Sequence, residues 1–224
     1  MKPNQARFES FPWEMEILEL EVLFDVIDDF LKDEKAKSAY LRKDIFRQDD
    51  WLGDPKKILL ASVQIFRRQI VVLLQTYLEQ IIKDFSINIF IGKPEKMAGY
   101  LLLDEFQDGK KELGEILGKN ETIALNKLPN LATSRIMKGG LSKILNRIEK
   151  ISNAKIKKHT KAILVDLYDI RTGIVHEASS KEVSTEFLHE SFEAIHDLIA
   201  SFREVGVENN VSDVEETEEA GDWE

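Results

Sequence analysis

Towards its C-terminal end the chain reads Arg171-Thr172-Gly173-Ile174-Val175-His176, an arginine and a histidine with four residues between them. These two residue types suffice for one piece of chemistry, the cleavage of RNA without a metal. That reaction needs a base for the 2′-hydroxyl, an acid for the departing 5′-oxygen and a cation for the crowded phosphate. Histidine, with an ordinary pKa near 6.5, takes or gives a proton close to neutral pH. Arginine presents a fixed, permanently charged fork of donors that matches phosphate oxygens. On a straight helix, residues five apart point about 140° away from each other. The pair therefore serves one site only if the helix ends between them, and Gly173 is where such a break is expected. Spacing alone leaves a plainer reading open, in which Arg171 pairs with Asp166 or Glu177 and His176 caps a helix end.

Other familiar chemistries are missing from the sequence. It has no Gly-rich Lys-Ser/Thr loop, no His-Glu-x-x-His and no Gly-x-Ser-x-Gly, the patterns of phosphate, zinc and nucleophile-elbow sites. His189 and His196 stand seven apart without a carboxylate or cysteine at ligand spacing, and read as surface histidines rather than metal ligands. No metal and no cofactor is expected. The chain contains no cysteine, which removes thiol chemistry and fits a reducing, cytoplasmic compartment. Met1-Lys2-Pro3-Asn4 is followed by no apolar signal core, so no secretory leader is expected. The longest apolar run, Ile70 to Leu74, predicts no membrane association.

The net charge of −10 is unevenly spread. Eight acids and no Lys or Arg fall within residues 207–224, so the remainder carries only −2. Between Arg135 and Lys161 there are nine basic residues and a single acid, Glu149. This stretch, with Lys143, Arg147, Lys150, Lys155, Lys157 and Lys158, is either a solvated face or a path for RNA.

Helices are expected to position these groups. Ile17, Leu20, Phe24, Ile27 and Leu31 recur at helical spacing over Glu14 to Leu31, and Lys35 to Phe46 reads as a shorter helix. Asp54-Pro55 is a helix-start signal. From Lys56 to about Phe85 there is neither Gly nor Pro, and the segment is apolar almost all round, as a central buried helix would be. Residues 86–140 are punctuated by glycines and prolines and read as an insertion of short helices and loops. Helices are expected again over Leu141 to Ile151 and Ile156 to about Ile170. Ser179 and Glu182 have capping-box spacing for a last helix carrying Val183, Phe187, Ile195, Leu198 and Phe202. Beyond Gly206 the polar, acidic composition predicts disorder.

The run from Asp169 to Glu177 resembles the Arg-x4-His motif of the HEPN superfamily, small helical domains that include many metal-independent ribonucleases. The surroundings agree. Gln69 to Phe85, with Tyr77-Leu78-Glu79, is similar to the long second core helix of that fold. Ile163-Leu164-Val165-Asp166-Leu167 supplies the apolar helix before the motif, and an amphipathic helix follows it. The resemblance implies an all-α, HEPN-like bundle over residues 56–204, with the insertion at about 86–140. Additional helices occupy 1–55 and an acidic tail 205–224. It implies a metal-independent endoribonuclease acting as a toxin or antiviral defence factor, with RNA as substrate and an antitoxin or other regulatory protein as partner. The composite cleft of the family, formed where two copies pair, implies a homodimer. Arg171 and His176 would be catalytic and Thr172, where active members often carry Asn or Asp, would assist. Asp169 would support them; Glu79 is either a buried partner of Arg171 or a surface charge. Two residues beyond the histidine stands Ala178, not the tyrosine of an antitoxin-modified branch. The alternative is a non-catalytic HEPN-like module that binds RNA or a protein.

Overall fold

Asp54 and Pro55 start a helix of 38 residues, and the other elements are built around it. The computed structural model describes residues 6–41, 54–101, 121–176 and 181–213. In chain order these form β1 (Arg7–Phe8), α1 (Ser10–Lys32), α2 (Glu34–Leu41), α3 (Pro55–Gly92), a 3-10 turn (Pro94–Met97) and α4 (Ala98–Leu101). After them come α5 (Glu121–Ile136), α6 (Leu141–Ser152), α7 (Lys158–His176), α8 (Thr185–Gly206), a second 3-10 turn (Val207–Asn209) and β2 (Ser212–Asp213). The described chain is all-α apart from one pair of two-residue strands.

The Asp54 carboxylate accepts the Lys56 backbone N–H at 3.0 Å, an N-cap that lets Pro55 occupy the first helical position. Along α3, Ile70, Leu74, Leu78, Ile81, Phe85 and Ile89 form a fully buried stripe. The helix runs past its expected end at Phe85 to Gly92 because Ile89 and Phe90 extend the core; within it Ser86 and Asn88 donate to the carbonyls of Ile82 and Asp84. Length and composition alone would also let α3 cross a membrane; from Ile70 onward, however, most of its apolar side chains are buried within the chain itself.

Helices α1, α5, α7 and α8 pack along α3, and α8 also packs against α1 and α7. Phe85 of α3 stacks on Phe202 of α8 at 3.9 Å, and Phe8 meets both rings edge-on. Such pairs add roughly 1 kcal/mol each beyond the area they bury. The buried face of α1, Ile17, Leu20 and Phe24, joins the same continuous core. At the far end of α1, Asp33 ends one helix and caps the next, accepting from the N–H groups of Lys35 and Ala36. The second helix is described as far as Leu41; residues 42–46 of its expected span lie outside the described residues.

Three further expectations are corrected. Within 86–140, α5 is a core element whose Leu128, Ala132 and Ile136 are buried, and Pro129 lies inside it instead of ending it. The last helix starts at Thr185, not at Ser179, which lies outside the described residues. The side-chain amide of Gln64 grips both the N–H and the carbonyl of Val183, which is buried. This leaves Ser184 to cap α8 by accepting from the Phe187 N–H. Finally, residues 207–213 are ordered. Val211 is buried, and Asn209 donates to the carbonyls of Ser152 and Val205 and accepts from Lys96. β2 pairs in parallel with β1. Gly92 is required here, since a Cβ would stand 2.3 Å from the Asn209 carbonyl oxygen. Residues 214–224 of the acidic tail lie outside the described part.

Candidate functional site

Helix α7 buries Thr160, Ile163, Leu164 and Leu167, a stripe at helical spacing that faces its neighbours. Arg171 stands one turn beyond Leu167 on this stripe and is half-buried. Its Nε is buried without a hydrogen-bond partner among the described residues, as is the Nε of Arg67. Among the described residues Arg171 forms no ion pair: Glu79 is half-buried on α3 and accepts instead from the Gln75 amide at 3.2 Å, and Asp166 and Asp169 are exposed. Glu177, the other acid considered for Arg171, lies outside the described residues.

The expected break at Gly173 is absent. The helix is continuous from Lys158 to His176, beyond which the chain lies outside the described residues, and the His176 side chain is exposed. A glycine inside a helix costs only about 1 kcal/mol relative to alanine, and Ile170 and Ile174 pack against the core on either side of it. Arg171 and His176 of one chain therefore point about 140° apart. The Thr172 hydroxyl donates to the carbonyl of Tyr168 at 2.8 Å, one turn back on its own helix.

The basic stretch divides into structural and solvent-facing groups. Lys143, Lys150, Lys155 and Lys158 are exposed. Arg147 turns inward: its Nη1 donates to the carbonyls of Arg135, Ile136 and Lys138 and so closes the C-terminal end of α5. Lys157 is held 3.1 Å from both carboxylate oxygens of Asp197, which also accepts from Thr160. Burial pushes the Asp197 carboxyl up, but these two donors outweigh it and hold the group below its ordinary range. Lys158 starts α7 and Arg171 lies 13 residues on, so roughly 20 Å of helix separates them. Adjacency in sequence does not make the lysines of this linker neighbours of Arg171.

Two arrangements escaped the sequence reading. His189 and His196 of α8 each face an acid of α1: His189 Nε2 is 3.7 Å from Asp25 and His196 Nε2 is 3.6 Å from Glu21. The signal was present in the matching spacings, seven on α8 and four on α1, but only the antiparallel meeting of the two helices relates them. The second is a knot at the junction of α1, α3 and α8. Asp28 is buried on α1; the Thr185 hydroxyl donates to it at 3.0 Å and Arg67 at 3.2 Å, with Lys32 2.7 Å away. Arg67 also donates to the Val183 carbonyl. A cleft of about 460 Å³ opens beside this knot, with Leu31, Val63 and Gln64 among its walls, and its buried ions are paired with each other.

Compared with known proteins, the chain matches no family model, no curated protein and no solved structure.

Proposed function

We propose that this chain is a HEPN-like domain acting on RNA as a metal-independent endoribonuclease, with the active cleft completed by a second copy. The observation that carries the reading is Arg171. A buried guanidinium nitrogen without a partner costs about 1–3 kcal/mol, and a phosphate oxygen is the acceptor that suits it. His176, exposed on the same helix, would be the group that transfers protons. Because the unbroken helix turns the two side chains apart, one chain would supply the arginine and its partner the histidine, near a two-fold axis. The role as a cytoplasmic toxin or defence factor, held in check by an antitoxin or other regulatory protein, rests on the HEPN resemblance alone.

A specific observation favours a second reading, a non-catalytic module binding RNA or protein. Thr172 is bonded to its own backbone, and no single chain offers both reacting groups to one phosphate. One experiment separates them. The wild-type chain, Arg171→Ala and His176→Ala are incubated with transfer RNA and total RNA, while light scattering reports assembly. Cleavage by a dimer that both substitutions abolish supports the nuclease. RNA binding without cleavage supports the module. Full activity from a monomer at micromolar concentration rules out the composite site.

A further inference from the structure

Helix α1 is apolar on two opposite faces. Its inner stripe of Ile17, Leu20 and Phe24 is buried in the core. A second stripe, Phe11, Met15, Leu18, Val22 and Val26, lies between 37% and 62% exposed. At 100° per residue its five positions fall within an arc of about 80°, centred opposite the buried one. The stripe extends about 22 Å along the helix. Single exposed apolar side chains are ordinary on protein surfaces, but a contiguous line of them marks an interaction site.

Charge decides what covers it. Between Ser10 and Leu31 the helix carries seven acids and no Lys or Arg. Glu14, Glu21 and Asp28 turn towards Arg203, His196 and Arg67. Asp25 is exposed but faces His189; Glu19 and Asp29 remain exposed at an edge and the end of the stripe, with Lys32, the last residue of the helix, 3.7 Å from Asp29. An anionic membrane or a nucleic-acid backbone would be repelled by this rim. So would a second copy laid face to face, since each acidic edge would meet its like. We propose that the outer face of α1 docks an amphipathic helix of a partner protein, with an apolar stripe flanked by Lys or Arg. Ridges of side chains three and four apart on such a helix would pack against those of α1, and its cations would meet Glu19 and Asp29. This surface shares no residue with the Arg171–His176 segment.

The test uses the full chain and a synthetic amphipathic peptide with leucines at helical spacing and lysines on both flanks, followed by fluorescence anisotropy. Helical content by circular dichroism confirms that each variant is folded; the substituted residues are all exposed. Leu18→Ser with Val22→Ser, which leaves the charge unchanged, is expected to weaken binding about tenfold or more. Glu19→Lys with Asp29→Lys is expected to weaken it similarly and to flatten its dependence on salt. A peptide of the same composition with the leucines scrambled should fail to bind. Equal affinity for the serine variant or for the scrambled peptide would reduce the contact to charge alone and overturn the proposal. Loss of self-association in the serine variant would overturn it too, by assigning the face to a second copy.

Discussion

The hydroxyl of Ser10 stands 2.7 Å from both carboxylate oxygens of Asp213, and the Ser10 backbone N–H donates to one of them at 3.3 Å. The first helix is thus capped by a side chain 203 positions away. Glu9, the local residue at the cap position, makes no such bond. A carboxylate at a helix N-terminus also meets the positive end of the helix dipole.

Asp213→Ala is therefore expected to destabilise the protein by about 1 kcal/mol, the usual effect of losing a cap. Asn209→Ala should cost more, about 2 kcal/mol, because the carbonyl of Ser152 and the ammonium of Lys96 lose their shared partner. Thermal unfolding checks both. No change for either variant would show that the 207–213 segment is not docked.

Arg147 and its basic neighbours should separate in experiment. Arg147→Ala removes the donor from three carbonyls at the end of α5 and is expected to lower stability by about 2 kcal/mol. Changing Lys143 and Lys150 to alanine should leave stability within about 0.5 kcal/mol, and should weaken RNA binding with a smaller salt slope if that face follows the phosphate backbone. Titration of RNA at several salt concentrations, beside thermal melts, reads both effects.

Asp28 and Asp84 should have opposite pH signatures. Burial pushes Asp28 up, but hydrogen bonds from Lys32, Thr185 and Arg67 outweigh it and hold its carboxyl below the ordinary value of 3.8. A depressed folded pKa contributes stability that is fully present above the unfolded pKa and is lost as pH falls through the folded value. Asp28→Ala is expected to cost about 3 kcal/mol at neutral pH, because Arg67 loses its buried counter-charge, and the difference from wild type should shrink in strong acid. At Asp84, burial raises the carboxyl above 3.8, only partly offset by the Trp13 indole N–H. Wild type should gain stability relative to Asp84→Asn as pH falls through the raised folded pKa of Asp84 to the unfolded value. Urea unfolding from about pH 2 to neutral measures both trends, and parallel profiles for the two variants would contradict the assignment.

For the proposed nuclease, His176→Ala is expected to lose about 100-fold or more in rate, the usual scale for a general acid–base group. Arg171→Lys should rescue poorly, since a point charge cannot reproduce the guanidinium fork. Thr172→Ala should cost less than either, because that hydroxyl is already bonded to Tyr168. The nucleophile would be the RNA's own 2′-hydroxyl, so the product ends in a 2′,3′-cyclic phosphate and a deoxyribose at the cut site resists cleavage. Equal cleavage of DNA, or a strict need for added magnesium, would sink the mechanism.

Local pattern made the helices legible. The Ile70-to-Phe85 stripe, the Asp54-Pro55 start and the alternation of Lys143 and Lys150 with Leu145 and Ile148 each depend only on residues within a few turns of one another, and helix periodicity is a local property. What the neighbours decide was not legible. Gly173 looked like a helix end, yet the packing of Ile170 and Ile174 outweighs the small intrinsic cost of a glycine. Residues 207–213 looked disordered by composition, yet Val211 and Asn209 find a prepared seat against Gly92, Lys96 and Ser152. Sequence alone determined which residues carry charge, donors and apolar surface. Tertiary structure alone decided that Arg147 closes a helix, that Asp28 meets Arg67 and that Arg171 meets no described acid. The physical reason is range: a helix is held by bonds four residues apart, whereas a charge is satisfied by whatever group a distant element brings within about 3 Å.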